Sequence, residues 1–156
     1  VKTAETGTGI LDLLAEHERA MGNLYRAYSE VFPQQQGFWL GLAAEEMMHA
    51  GKLIDLAEHL GPEGIDEHRF RPQAVAASLE CLASRLRETQ VRDLELVTAL
   101  SVALDLEKAM IEQKWFEVLK SDSPQISQIL ANLAADTRRH MMMVRAMWDS
   151  ARSPRR

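Results

Sequence analysis

The sequence predicts an all-α protein, an antiparallel four-helix bundle with an additional helix in the connection between its halves. Three observations predict it. Apolar residues recur at three–four spacing in four long runs, the period of one helix face. The eight glycines and five prolines concentrate between those runs. Finally, the connections between successive runs within each half are short, which makes neighbouring helices antiparallel.

The first helix is expected over about 9–32. Its stripe is Leu11, Leu14, Met21, Tyr25, Tyr28 and Phe32, and Glu18 completes the rhythm between Leu14 and Met21. Glu16 and His17 fall on flanking rows. Pro33 ends the helix, and Gln34-Gln35-Gln36-Gly37 connects. The second helix, about 37–60, carries Trp39, Leu42, Leu53, Leu56 and Leu60. Glu46 and His49 occupy the two stripe positions in its gap, one turn apart. Gly61-Pro62 is its stop signal.

A polar, irregular segment follows, with His59 and His68 near or in it and solvated. The run over about 73–90 has Val75, Leu79, Leu82 and Leu86 at helical spacing but no acid–histidine pair. It reads as the connecting helix, packed outside the bundle. The third main helix is expected over about 93–120, with Val97, Leu100, Leu104, Ile111, Trp115 and Val118. Glu107 fills its gap. Ser121-Asp122-Ser123-Pro124 supplies a turn, an N-cap and a proline at the first helical position. The last helix, about 124–150, has Ile126, Leu130, Leu133, Val144 and Met147. His140 and Thr137 fill its gaps, and Asp136 lies on the adjacent row.

At 156 residues the chain, 1–156, reads as one domain with a sizeable core. The net charge of -5 argues against non-specific nucleic-acid binding, and the basic tail from Arg152 to Arg156 is too short to reverse that. No run of about 20 apolar residues is present to span a membrane. Val1-Lys2-Thr3-Ala4-Glu5 shows no signal-peptide pattern, and a cytoplasmic location is the expectation. Cys81 is the only cysteine, which excludes an intramolecular disulfide and a Cys-x-x-Cys knuckle; it reads as a small buried apolar residue.

Two half-matching units emerge. Glu18 precedes His49 by 31 residues and Glu107 precedes His140 by 33, each pair spanning a helix with a core Glu and a helix with a core His. A buried charge without a partner is very costly, and a metal ion removes that cost. Glu-x-x-His is the spacing that points two ligands at one ion. Carboxylate and imidazole without thiolate favour iron, manganese or zinc. The alternative is a buried Glu–His hydrogen-bond network without metal, which needs every member satisfied. Met47, Met48, Met141, Met142 and Met143 read as core and interface filling, and Trp115 and Trp148 as packing. Tyr25, two turns beyond Glu18, either hydrogen-bonds a ligand carboxylate or only packs. Arg138 and Arg139 read as solvated, or as reaching an acidic neighbour.

The stretches Glu18 to Tyr25, Ala44 to Ala50, Ala103 to Lys108 and Ala134 to His140 resemble the ferritin-like superfamily and, within it, the rubrerythrin-like proteins. The resemblance covers most of the chain except residues 62–92 and the tails. It implies that Glu18, Glu46, His49, Glu107 and His140 bind one or two irons, with manganese or zinc as other occupants. It implies an oxidoreductase acting on peroxide, dioxygen or ferrous iron, or an iron-storage protein without turnover, or a bundle with a degenerate, structural site. Thr137 stands where the family has a Glu, and Asp136 is the candidate to replace it. A single metal, an asymmetric pair and a redox-silent site are the resulting alternatives. The cysteine-rich module of many rubrerythrins is absent, so a peroxidase would need an external electron donor. A homodimer is also implied.

Overall fold

The computed structural model describes residues 8–60 and 64–153. The described residues form five α-helices: α1 (Thr8–Val31), α2 (Gln36–Glu58), α3 (Pro72–Val91), α4 (Leu96–Gln113) and α5 (Pro124–Arg152). A 3-10 turn, Pro33–Gln35, joins α1 to α2. The expected stop at Gly61-Pro62 lies outside the described residues, as do residues 1–5 and the end of the basic tail. No helix among the described residues is long and apolar enough to cross a membrane.

The stripes become the core. Leu11, Leu14, Met21 and Tyr25 on α1 are buried, as are Trp39, Leu42 and Leu53 on α2, Leu100 on α4, and Leu133 and Val144 on α5. Each fully buried side chain of this size contributes about 1.5–3 kcal/mol, so the four stripes carry the fold and can offset a polar centre between them. Contacts between neighbours run in opposite registers. Gly22 meets Ala43 and Met47, while Tyr28 packs on Trp39, so α1 and α2 are antiparallel. Trp148 donates to Ser101 while Glu107 lies near His140, so α4 and α5 are antiparallel as well. The backbones approach most within these two pairs. The connecting helix α3 lies against α1, burying Val75 and Leu82.

Two expectations are corrected. The third main helix stops at Gln113 and does not reach residue 120. Lys114 takes a left-handed conformation (φ 53°), and its N–H donates to the Ile111 carbonyl at 3.1 Å, which closes the helix. Trp115, Phe116 and Leu119 are still buried, but from the turn that follows. Lys120 then pairs with Asp66 in an isolated antiparallel bridge, tying the turn to the α2–α3 connection. The second correction is Cys81, which is exposed on α3. His17, on a row flanking the stripe, is fully buried as well.

Candidate metal centre

Four of the five helices, α1, α2, α4 and α5, bring carboxylate or imidazole side chains into the core. Glu18 from α1, Glu46 and His49 from α2, Glu107 from α4 and His140 from α5 are all at most 1 % exposed. They converge on Glu46. Its Oε2 lies 3.0 Å from His49 Nδ1 and its Oε1 lies 3.0 Å from His140 Nδ1, so one carboxylate spans both rings. The rings stack at 5.4 Å between centroids. Glu107 Oε1 lies 3.8 Å from His140 Nδ1 and accepts from the Tyr25 hydroxyl at 2.7 Å. Two buried ligand groups result, Glu18–Glu46–His49 and Glu46–Glu107–His140, each with its donor atoms within 4.8 Å of one another and Glu46 common to both.

The outward nitrogens of both rings meet carboxylates from the opposite helix. His49 Nε2 lies 3.0 Å from Asp136 Oδ2, and His140 Nε2 lies 2.8 Å from Glu45 Oε2. Asp136 therefore sits behind His49 and not in line with the other carboxylates. Arg139 ties the outer shell together by pairing with Glu45 and, at 3.1 Å, with Asp136 Oδ1. Hydrogen bonds of this kind fix which ring nitrogen carries the proton and leave the inward Nδ1 free to ligate. Thr137 is buried, but its hydroxyl donates to the Leu133 carbonyl at 2.9 Å and supplies no carboxylate to the centre.

The electrostatics describe a site short of positive charge. Burial, reinforced by the neighbouring Glu46, drives the Glu18 carboxyl well above its ordinary range. Burial and then Glu46 do the same to Glu107, and burial pushes Glu46 itself upward. The outer carboxylates go the other way. Arg139 holds Glu45 at about 2. Burial opposes ionisation of Asp136, but Arg139 and His49 outweigh it and its pKa falls. Burial next to Glu107 also keeps the Tyr25 hydroxyl protonated, as a donor must be.

Three buried carboxylate oxygens, both of Glu18 and Oε2 of Glu107, receive no hydrogen bond from a donor among the described residues, and the Glu18 carboxyl lies close enough to Glu46 to share a proton with it. An orphaned buried acceptor costs about 1–3 kcal/mol, and more when charged. Each imidazole, moreover, faces carboxylate oxygens at both of its nitrogens. Without a metal, protons must fill all of these gaps. A divalent cation would bind the orphaned oxygens and the inward Nδ1 atoms and reverse the charge deficit. The residues present thus fit a metal of the oxygen- and nitrogen-preferring kind.

The sequence pattern did not single out Glu45, because its partner His140 is on another helix and its own row is half exposed. His17 was also missed. Its Nε2 lies 2.8 Å from Ser78 Oγ on α3, its ring meets Trp115 edge-on at 4.8 Å, and burial lowers its pKa to about 4. It is a neutral core histidine beside the centre. His59 and His68 are exposed. Arg138 is also exposed, and it pairs with Glu117.

The fold and the centre together define a class: an all-helical protein whose buried glutamates and histidines could hold a metal ion. Comparison of the chain with protein-family models, with curated proteins and with solved structures gives no match, so the reading of this centre rests on its own geometry.

Proposed function

We propose that this chain is a rubrerythrin-like member of the ferritin-like superfamily, a non-haem metal oxidoreductase acting on peroxide, dioxygen or ferrous iron. The observation that carries the reading is the set of three donor-less carboxylate oxygens, on Glu18 and Glu107, around a Glu46 carboxylate that spans two inward-facing imidazoles. Glu18, Glu46, His49, Glu107 and His140 would hold the ion or ions. Iron is the proposed occupant, with manganese or zinc as alternatives, and when bound it would supply the one-electron steps that no protein side chain supplies alone.

The chain's own residues have separable tasks. Asp136 and Glu45 orient the two rings from behind. The Tyr25 hydroxyl holds Glu107 in place and keeps a proton next to the centre. The apolar stripes exclude bulk water. Reducing hydrogen peroxide to water consumes two electrons and two protons, and a redox partner that supplies those electrons is part of the proposal. Leu40 and Met48 on α2, with Met142 and Met143 on α5, are exposed apolar side chains that support a homodimer. Sedimentation at the monomer mass across the micromolar range would remove that part of the proposal.

A second reading is favoured by one observation. The chain Asp136–His49–Glu46–His140–Glu45 is already hydrogen-bonded throughout. Such a centre can serve as a structural network once protons occupy its gaps. Metal analysis after anaerobic loading with ferrous iron separates the two. The proposed function expects one or two irons per chain, lost in Glu46→Ala, and peroxide consumption when a reductant is supplied. Full metal retention in Glu46→Ala would sink the site assignment. Absence of iron, manganese and zinc from the loaded wild type would leave the structural network. Metal uptake with no peroxide-dependent or dioxygen-dependent rate would leave a storage protein.

A further inference from the structure

Glu18, Glu46, His49, Glu107 and His140 are all buried, so an ion must cross part of the protein to reach them. Among the described residues, the inward-facing polar atoms of this set contact one another or the buried Tyr25. The outward ring nitrogens lead to water instead. His49 Nε2 meets Asp136 and His140 Nε2 meets Glu45, and both carboxylates are 30 % exposed. The described contacts of the centre thus approach the surface at one place, where α2 faces α5.

Two independent observations give that place the character of a cation site. The first is its donor set. Glu45, His49 and His140 each offer one ligand atom, and the three atoms lie within 4.8 Å of one another. Asp136 Oδ2 stands beside them, 3.0 Å from His49 Nε2. Two carboxylates and two imidazoles suit a divalent ion that prefers oxygen and nitrogen. The second observation is a count of protons. An imidazole with one N–H has a bare lone pair on its other nitrogen. Both nitrogens of each ring face carboxylate oxygens, at 2.8 to 3.0 Å. When Nδ1 donates inward to Glu46, the Nε2 lone pair of a buried ring points outward at Asp136 or Glu45, acceptor against acceptor. A cation held by both satisfies the pair.

A positive group already stands there. Arg139 pairs with Glu45, and its Nη2 lies 3.1 Å from Asp136 Oδ1. Glu45 Oε2 is contacted by both Arg139 and His140 Nε2. The guanidinium therefore takes the position against the outer carboxylates that an incoming cation needs. Arg139 is exposed, and ion pairs at the surface are weak, so a divalent ion can displace it.

We propose that Glu45, Asp136 and the outward nitrogens of His49 and His140 form an entry site for a divalent cation, that Arg139 gates it, and that the ion passes from there to the inner ligands. The inference rests on the proposed function and adds the route by which its centre is loaded. Passage inward exchanges the nitrogen that carries the proton on each ring. Nδ1 carries it while the ion is outside. Nε2 carries it once the ion is inside, donating to Asp136 or Glu45, so no proton is gained or lost overall.

The test follows zinc entering the chelator-stripped full chain, by stopped flow with a fluorescent zinc indicator, and zinc leaving into excess chelator. Arg139→Gln removes the gate and is expected to raise both rates about tenfold, with affinity unchanged. Arg138→Gln removes the same charge one residue away, from an arginine paired with Glu117, and is expected to leave both rates as they are. An Arg139 that only positions the outer carboxylates predicts weaker affinity in Arg139→Gln and no faster uptake. An Arg139 that only repels cations predicts faster uptake without faster release, and a similar gain in Arg138→Gln. Either result, or an Arg139→Gln variant with wild-type rates, overturns the entry site and leaves the proposed function standing. A wild type that takes up no zinc, iron or manganese overturns both. Should Arg139→Gln fail to fold, the wild type decides alone: its uptake rate is expected to saturate with zinc concentration as the entry site fills, and a strictly linear dependence overturns the proposal.

Discussion

Replacing Glu18 by Gln should stabilise the metal-free protein and weaken the metal-loaded one, and the opposite signs make it the most informative single change. Glu18 is fully buried, with no donor to either oxygen, the Glu46 carboxyl beside it, and its pKa well above the ordinary range. A carboxyl raised in the folded state contributes stability that is fully present below its unfolded pKa, near 4.5, and is lost as pH rises toward the folded value. Each pH unit in that window removes about 1.4 kcal/mol. The loss falls on the wild type as pH rises toward 7, and an uncharged amide of the same shape escapes it. The amide can also donate to the Glu46 carboxylate. Urea unfolding of chelator-stripped wild type and variant at pH 5 and pH 7 measures the effect. The advantage of the variant should be small at pH 5 and grow by pH 7. On adding metal the order should reverse, because stabilisation by a ligand scales as RT ln(1 + [L]/Kd) and the variant has lost an anionic ligand. A stripped variant less stable than wild type at both pH values, with no growth between them, would refute the reasoning. It would mean that the Glu18 carboxylate is satisfied without a cation.

Three further changes probe the frame around the centre. Tyr25→Phe removes the donor to Glu107 at 2.7 Å and should cost about 1–2 kcal/mol in thermal unfolding while leaving metal content unchanged. Lys114→Gly relieves the left-handed residue that ends α4 and should stabilise by about 1 kcal/mol; a loss of stability would mean that the lysine side chain is engaged in the native turn. A Cβ at Gly22 would stand 3.0 Å from Met47 Cε and 3.2 Å from the Ala43 carbonyl oxygen. Met47 can swing away, but the backbone of α2 cannot, so Gly22→Val should cost about 2–3 kcal/mol by calorimetry, and a neutral result would show that the α1–α2 spacing yields easily.

The helices and their buried faces were legible because the seven-residue rhythm of apolar positions runs nearly unbroken through α1, α2 and α5. The interruptions at Glu18, Glu46, His49, Glu107 and His140 marked residues that the structure indeed brings together. What the pattern could not show was decided across helices or by single backbone angles. Trp115 and Val118 stay close to the rhythm of α4, and no glycine announces the left-handed turn at Lys114, so the helix was expected to run on. His17 is buried because α3 covers a row of α1 that the four-helix pattern leaves outside. Cys81 is exposed because the narrow buried edge of α3 is taken by Val75 and Leu82. Asp136, the candidate to replace the carboxylate missing at Thr137, lies on a row that sets it against His49 Nε2. Glu45 gained a role only through its contact with His140.

The arrangement of the centre also bears on how the chain folds. Within α1–α2 and within α4–α5 the helices meet through contacts close in sequence, which form fast. Between the two hairpins the backbones stand further apart, and the link is made by side chains: Tyr25 to Glu107, His140 to Glu46, His49 to Asp136. Docking the hairpins therefore coincides with bringing together carboxylates that repel one another. Local pairing sets Glu18 beside Glu46 while both are still open to water, whereas docking buries them and adds Glu107, so the docking step waits for protons or a cation to neutralise the seam. In refolding experiments the late phase should accelerate with acid or with added metal while the early phase stays constant, and a late phase indifferent to both would show that the halves dock before their charges meet.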